Sequence, residues 1–185
     1  MLPSMKRRHR TIESLIVSFL VFIVGVLLTQ SNAGSTQTIQ SEHSKEARSL
    51  GLVTHVVDGD TFDILLNGET KRVRLIGVDT PETVDPRKEV QCFGKEASNK
   101  TKSMINDKQV YLEADASQTD EDKYGRLLRY VYLEDGVLLN ELLVREGFAH
   151  EYTYKVPYQF QTTFRTAQKE AQAQRRGLWD PSLCP

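Results

Sequence analysis

The sequence has few residues of the kinds that build zinc or other soft-metal sites. Cys92 and Cys184 are its only cysteines, and its four histidines are scattered along the chain without ligand-like spacing. Zinc sites draw on closely spaced cysteines and histidines. Histidine-based metal or acid/base chemistry is therefore poorly supported. For the two cysteines, a disulfide bond and two unrelated thiols both stay open.

Long apolar runs are scarce as well. The one dense run, Leu15 to Leu28, has 14 residues and follows a basic cluster, whereas a membrane-spanning helix usually needs about 20. A basic cluster, a short apolar run and the small residues before Gly34 form the layout of an export signal. We expect residues 1–33 to be a cleaved signal peptide, with an uncleaved membrane anchor as the alternative. Either one places the remaining chain outside the cytoplasm, secreted, periplasmic or anchored to the membrane.

Positive charge is not in excess. The formal net charge is −1, and residues 1–33 contain four basic residues but one acid, so the exported part is acidic. An acidic domain does not attract polyanions by its bulk charge. If this domain handles nucleic acid, local arginines and lysines and a bound cation must overcome the repulsion.

The remaining chain divides into a linker and one domain. Residues 34–49 are polar with almost nothing to bury, which predicts a flexible linker. The whole chain has 185 residues, enough for one domain with a hydrophobic core and too few for two ordinary ones. We place that domain at residues 50–182.

Residue patterns within the domain predict a barrel flanked by helices. Short runs of β-branched and aliphatic residues separated by turn residues predict strands, at Leu52 to Val57, Thr61 to Leu66, Lys71 to Val78, Gln109 to Ala114 and Leu127 to Leu133. Apolar residues at helical spacing predict helices, at Phe93 to Asn106, Val137 to Glu146 and Tyr158 to Arg176. This order indicates an α+β fold, a five-stranded OB-type β-barrel with three flanking helices.

Two acidic loops are candidate cation ligands. Asp60 lies between the first two predicted strands, and Asp79 and Thr80 lie at the end of the third. A hard cation such as Ca²⁺ binds clustered carboxylates, backbone carbonyls and water, which strand ends can supply. Taken alone, each loop is better explained as a tight turn or as loop punctuation than as a metal site.

Arginines and a further acid accompany these loops. Arg74 lies on the solvated face of the third predicted strand, Glu82 follows the second acidic loop, and Arg126 precedes the fifth strand. Arginine binds phosphate oxygens in a bidentate manner. Together with a cation, these residues suit the hydrolysis of a phosphodiester; separately, Arg126 reads as a solvated charge on a surface turn.

Several motifs in this order resemble the staphylococcal nuclease, or thermonuclease, family. The resemblance extends from about Leu52 to Trp179. Its motifs are Val57-Asp58-Gly59-Asp60-Thr61, Arg74, Val78-Asp79-Thr80-Pro81-Glu82-Thr83, Phe93-Gly94-Lys95-Glu96-Ala97, Asp122-Lys123-Tyr124-Gly125-Arg126, and Asn140-Glu141 with Leu143-Val144-Arg145-Glu146-Gly147.

The resemblance implies a Ca²⁺-dependent endonuclease that hydrolyses DNA and RNA and leaves 3′-phosphates. It implies that Asp60 and Asp79 are the carboxylate metal ligands and that Thr80 contributes its carbonyl oxygen. It also implies that Glu82 activates or orients the attacking water. The corresponding phosphate-binding arginines are Arg74 and Arg126.

Substrate contacts follow from the same resemblance. Lys123 is positioned to meet a terminal phosphate, and tyrosines line the family's nucleotide pocket, here Tyr124, Tyr152 and Tyr154. The alternative is that these tyrosines close the barrel edge, and for Tyr152 the two interpretations fit equally well. The loop from Val84 to Gln91 is expected to touch the nucleic-acid backbone.

The chain departs from the best-known member of the family in its acidic domain and its two cysteines. If Cys92 and Cys184 pair, they tie the start of the first helix to the chain end. We expect a monomer that contacts a membrane only through an uncleaved N-terminal segment. The main alternative to a nuclease is a non-catalytic nucleic-acid-binding OB-fold module, which would be expected to lose its acids. A tethered structural domain is a third possibility. It would require five charged residues to be present by chance, namely Asp60, Arg74, Asp79, Glu82 and Arg126.

Overall fold

The structure, a computed structural model, describes residues 48–83 and 91–184. The predicted signal segment, most of the predicted linker and most of the loop from Val84 to Gln91 lie outside the described residues. Within the described part, no helix is long and apolar enough to cross a membrane.

Five strands close into the predicted barrel, in the order β1-β2-β3-β6-β5, with β5 pairing back onto β1. The barrel strands are β1 (Ser49–Asp58), β2 (Thr61–Leu66), β3 (Glu69–Leu75), β5 (Gln109–Glu113) and β6 (Leu127–Tyr132). All neighbouring strands are antiparallel except β3 and β6, which run parallel. The prediction of a five-stranded OB-type barrel is confirmed.

The third predicted strand, Lys71 to Val78, extends past the end of the observed strand. β3 ends at Leu75, because the chain turns at Ile76 and at Gly77, which has a φ of 74°. The next residues form a separate short strand, β4 (Val78–Asp79), which pairs with β7 (His150–Glu151) outside the barrel. The sequence did not indicate this pairing, because two-residue strands carry no periodicity.

Three helices pack around the barrel, as predicted. They are α1 (Gly94–Ile105), α2 (Leu139–Arg145) and α3 (Gln161–Ala173), followed by a 3-10 turn at Gly177–Trp179. The second and third are shorter than the predicted spans. At the start of the third predicted helix, Tyr158 and Phe160 precede α3 and pack their rings against the core.

The core follows the predicted alternation along the strands. Phe62 and Ile64 of β2 and Val73 of β3 are fully buried, whereas Leu65 is 40% exposed. Buried Asn140 connects this core to the turn after β3, because its Nδ2 atom donates to the Ile76 carbonyl oxygen at 2.9 Å and its Oδ1 atom accepts from the Val131 amide at 2.9 Å. The turn that leads towards Asp79 is therefore held by a residue of α2.

Cys92 and Cys184 form a disulfide that joins the residues before α1 to the end of the chain. The bond spans a sequence separation of 92 residues. Cross-linking so long a loop reduces the entropy of the unfolded chain, and we expect its reduction to lower the free energy of unfolding by about 2–4 kcal/mol. Urea unfolding of the oxidised and the reduced protein measures this difference. In a Cys92→Ser/Cys184→Ser variant the reductant should have no effect, and coincident curves for the wild-type protein would contradict the prediction.

A buried carboxylate fixes the chain after β5. Asp115 accepts hydrogen bonds from the Tyr130 hydroxyl at 2.6 Å, the Gln159 amide at 2.8 Å, and the Ser117 amide and hydroxyl, both at 2.8 Å. Burial by itself raises the pKa of this carboxyl, but the hydrogen bonds outweigh it and bring the pKa below its ordinary value. The ionised form is thus favoured by folding.

This shift makes stability depend on pH at the acidic end. Because the pKa of Asp115 is lower in the folded chain, its contribution is complete above the ordinary value, about 3.9, and is lost as the pH falls through the folded value. We expect the free energy of unfolding to decrease below about pH 4, with a shallower decrease in Asp115→Asn. Urea unfolding at a series of pH values tests this, and parallel profiles for the two proteins would exclude the assignment.

Candidate active site

A cleft of about 280 Å³ opens at one end of the barrel, where the turns and strand ends meet. It is lined almost entirely by charged and polar residues: Val57, Asp58, Asp60, Thr61, Arg72, Arg74, Asp79, Thr80, Glu82 and Arg126. All six residues predicted for catalysis and metal binding are among them. Positions up to 66 residues apart in sequence, from Asp60 to Arg126, thus converge on one cleft.

Strand register brings Arg74 to Asp60. In the β2–β3 hairpin Arg74 is the partner of Thr61, the residue after Asp60. The amide of Leu75 also donates to the Asp60 carbonyl oxygen at 3.0 Å. A shift of the register by one residue would move the guanidinium to the other face of the sheet.

Arg74 joins the two predicted carboxylate ligands. Its Nη1 atom forms an ion pair with Asp60 Oδ2, and its Nη2 atom donates to Asp79 Oδ1 at 2.9 Å. The side chains of Arg74 and Asp60 are 14% and 9% exposed, so this pair is shielded from solvent, whereas Asp79 is half-exposed. The two carboxylates therefore face each other across one guanidinium.

Asp60 is further fixed by hydroxyl and amide donors. Its Oδ1 atom accepts from the Thr61 hydroxyl at 2.9 Å, and its Oδ2 atom accepts from the Thr80 amide at 2.9 Å and the Thr80 hydroxyl at 3.1 Å. These bonds draw the loop after β4 against the β1–β2 turn. A Cβ atom at Gly59 would lie 2.7 Å from Thr80 Cγ2, so this close approach requires glycine.

Burial and neighbouring acids raise the pKa values of two other carboxyls in the cleft, those of Asp58 and Asp79. Burial raises the pKa of Asp58 despite hydrogen bonds from the Thr83 hydroxyl and the Gly59 amide, and the charges of Asp60 and Glu82 raise it further. Burial also raises the pKa of Asp79, with Arg74 opposing this effect. The cleft thus concentrates negative charge that a cation would relieve.

Glu82 lines the cleft. Its Oε1 atom accepts from the Thr83 amide at 2.9 Å, and the residue is only partly buried. Its backbone is held by Gln91, whose side-chain oxygen accepts the Glu82 amide at 2.9 Å. The carboxylate is therefore on a fixed backbone within reach of solvent, as an acceptor of a proton from water requires.

Asp122 orients Arg126. Its Oδ2 atom accepts from Arg126 Nε at 2.7 Å and pairs with Nη2 at 2.6 Å, while its Oδ1 atom accepts the amides of Tyr124 and Arg126. Burial alone raises the pKa of Asp122, but these donors bring it below its ordinary value. The arginine therefore enters the cleft with its orientation fixed by an ionised carboxylate.

The predicted substrate-contact residues are solvent-exposed, and Tyr124 lies beside Arg126 of the cleft. Tyr124 and Tyr154 are 71% and 64% exposed, and Tyr152 is 43% exposed. The Arg126 guanidinium lies 5.3 Å from the centre of the Tyr124 ring, and Lys123 Nζ lies 4.9 Å from it. The rings of Tyr124 and Tyr154 are thus exposed next to cationic groups.

The donor set fits a hard cation. The sequence resemblance implies a metal ion, and the converging oxygens of Asp60 and Asp79 are the ligand type that Ca²⁺ takes, completed by carbonyls and water. Across the described ranges, no three histidines, cysteines or acids lie close enough together to hold a metal by themselves. The composition of the cleft therefore suits an oxygen-ligated ion and not a zinc site.

Two functional candidates were not assigned a role from the sequence. Asp58 lines the cleft as a further buried acid, and Asp122 orients Arg126. Both belong to recognised motifs, but their sequence pattern equally fits turns, in which an aspartate accepts backbone amides. Only the contacts of the folded chain distinguish these roles.

Comparison with known proteins agrees with the fold. The family model described as staphylococcal nuclease homologue matches residues 72–181. The thermonuclease of Staphylococcus intermedius is 46% identical over 129 residues, 70% of this chain and 75% of that protein. The thermonuclease of Staphylococcus hyicus is 42% identical over 127 residues, 69% of this chain and 73% of that protein. The endonuclease YncB of Bacillus subtilis (strain 168) is 38% identical over 149 residues, 79% of this chain and 70% of that protein. The chain therefore belongs to the staphylococcal nuclease family.

Proposed function

We propose that this nuclease is an exported, Ca²⁺-dependent endonuclease that hydrolyses phosphodiester bonds of DNA and RNA and leaves 3′-phosphates. The observation that carries the proposal is the cleft itself, in which Arg74 contacts both Asp60 and Asp79 while Glu82 and Arg126 line the same opening. A non-catalytic binding module would have no need to keep these charges together.

The mechanism follows from the charges. A phosphodiester is anionic, and attack by water adds negative charge to its phosphoryl oxygens, so Arg74 and Arg126 bind those oxygens and stabilise the added charge. Glu82 orients the attacking water and takes its proton as the P–O bond forms. The bond from phosphorus to the 5′ oxygen breaks, that oxygen takes up a proton from solvent, and Glu82 afterwards releases its proton to solvent. Asp60, Asp79 and the Thr80 carbonyl would hold the cation, which would supply further charge neutralisation.

Substrate binding beyond the scissile phosphate is assigned to exposed residues, of which Tyr124 lies beside Arg126. Open tyrosine rings stack on bases at about 1–3 kcal/mol per base without strong sequence preference. Tyr124, Tyr152 and Tyr154 provide such rings, and Lys123 lies against Tyr124 to meet a phosphate. In a domain with net negative charge, these local groups hold the polyanion.

Export and a monomeric state complete the proposal. The Cys92–Cys184 disulfide supports export, because such bonds persist in oxidising compartments and are rare in the cytosol. Residues 1–33 would act as the signal peptide, or as an anchor that keeps the domain outside the cytoplasm.

The test is incubation of the purified full-length protein with DNA and with RNA, in Ca²⁺ and in a calcium chelator. We expect cleavage of both polymers in Ca²⁺ only, with 3′-phosphate termini identified by end-group analysis. Cleavage in the chelator would contradict the metal assignment. Binding of nucleic acid without cleavage in Ca²⁺ would favour the binding-module alternative.

A further inference from the structure

The backbone of Glu82 is held by a pair of reciprocal hydrogen bonds with Gln91. The Glu82 amide donates to the Gln91 side-chain oxygen at 2.9 Å, and the Gln91 amide donates to the Glu82 carbonyl oxygen at 3.0 Å. Two bonds in opposite directions fix both the position and the tilt of the Glu82 peptide. The direction in which the carboxylate leaves the backbone therefore depends on where Gln91 lies.

The residues after Gln91 lie directly against the same segment. A Cβ atom added at Gly94 would lie 2.6 Å from Thr83 Cγ2, 2.9 Å from the Pro81 carbonyl oxygen and 3.2 Å from that of Glu82. The Gly94 amide also donates to the Gln91 carbonyl oxygen at 3.1 Å. The start of α1 thus packs directly against the backbone around Glu82.

Cys92 lies between Gln91 and Gly94 in the sequence, and its disulfide bond links this segment to the C-terminal segment at Cys184. Its partner Cys184 donates its amide to the Asp180 carbonyl oxygen at 2.9 Å, and the Leu178 amide donates to the Gly147 carbonyl oxygen at 2.9 Å. The C-terminal segment is therefore fixed to the end of α2 before it reaches Cys92. Cys92 is exposed, so a reductant in solution can reach the bond.

We propose that Gln91 is a positioning residue for Glu82 and that the Cys92–Cys184 disulfide holds it in place, so that the oxidised protein hydrolyses nucleic acid faster than the reduced one. This inference rests on the role given to Glu82 in the proposed function. With the disulfide bond formed, as in an oxidising compartment, the enzyme is most active. Where dithiols reduce the bond, the activity falls.

The redox step is an exchange with a dithiol reductant. One thiolate of the dithiol attacks a sulfur of the Cys92–Cys184 bond, and the mixed disulfide is resolved by the second thiolate. The protein gains two electrons and two protons as two cysteine thiols, and the dithiol is oxidised to its disulfide. The residues before α1 then remain attached to the C-terminal segment only by non-covalent contacts.

The first measurement compares kcat and KM for DNA hydrolysis in Ca²⁺, before and after full reduction with dithiothreitol. We expect kcat to fall about tenfold, less than the roughly 10²-fold loss that a misplacement of about 1 Å can cause. We expect KM to change less than twofold, because Arg74 and Arg126 lie on other elements. Thiol titration confirms reduction, and circular dichroism at the assay temperature confirms that both forms are folded.

Variants separate positioning from a general loss of stability. Cys92→Ser/Cys184→Ser should have the low kcat and ignore dithiothreitol, whereas Ser182→Ala, in the same C-terminal segment, should behave as the wild-type protein. Gln91→Ala should lower kcat, and Gln91→Glu, which keeps an acceptor oxygen, should restore most of it. In a Glu82→Gln background the residual rate should no longer respond to reduction, because the positioned group is absent.

The outcomes distinguish this inference from the proposed function. Absence of hydrolysis by the oxidised wild-type protein would overturn the proposed function itself. Hydrolysis at the same kcat in both redox states would leave that function standing and overturn only the redox inference. A tenfold effect that persists in Glu82→Gln would assign the disulfide to another part of the site and also overturn the inference.

Discussion

Glu82→Gln is expected to lower kcat for nucleic-acid hydrolysis by roughly 10²- to 10⁴-fold, the range found when a general base is removed. The amide has the shape of the carboxylate and keeps an oxygen that can accept the Thr83 amide, a bond of 2.9 Å in the wild-type protein. It cannot take a proton from water at neutral pH. The variant should therefore fold normally and fail in the chemical step.

Initial rates at saturating and at low DNA concentrations separate this loss from a binding defect. A residue that acts only in the transition state lowers kcat and kcat/KM equally. Glu96→Gln, a matched change on the exposed surface of α1, should keep the wild-type rate. Near-normal turnover in Glu82→Gln would remove this residue from the mechanism.

Arg126→Ala is expected to lower kcat by roughly 10²- to 10³-fold, the cost of losing one well-placed donor to the developing charge. In the wild-type protein, Asp122 fixes this guanidinium through Nε and Nη2, so its position is set before substrate arrives. The substitution removes the donor but keeps the backbone amide that also donates to Asp122. Folding should thus be retained.

Steady-state kinetics of Arg126→Ala and Arg126→Lys test this role. Lysine keeps the charge but not the fork of donors, so an intermediate rate is expected. Arg165→Ala removes an exposed guanidinium of α3 that pairs with Glu151 and should leave the rate unchanged. If Arg126→Ala raises KM and leaves kcat intact, the arginine only binds substrate and does not stabilise the transition state.

Local patterns predicted the barrel strands well, because alternation along a half-buried strand is a property of neighbouring residues. Phe62 and Ile64 are buried as the alternation indicated, and Leu65, the residue after Ile64, is exposed. The same reasoning failed at Ile76 and Gly77. Both are apolar or small and continue the pattern of β3, yet the chain turns there, and Asn140 binds the Ile76 carbonyl oxygen from α2.

The candidate site was predictable as a set of groups and not as a set of contacts. Carboxylates at strand ends and arginines on a solvated face indicate phosphodiester chemistry through their functional groups alone. That Arg74 contacts both Asp60 and Asp79, however, depends on the register of β2 with β3 and on the pairing of β4 with β7. The sequence around Asp122 does not show whether its carboxylate pairs with an arginine or only accepts the backbone amides of a turn.

By itself, the sequence determined the order of the barrel strands and the helices, the chemical groups available for catalysis and the family. These depend on residue identity and on spacing over a few positions, which the chain carries in its linear order. Only the tertiary structure decided that Cys92 meets Cys184, that Gln91 holds Glu82 and that one guanidinium lies between two acids. Such contacts join distant residues, and they are selected by the free energy of packing the whole domain.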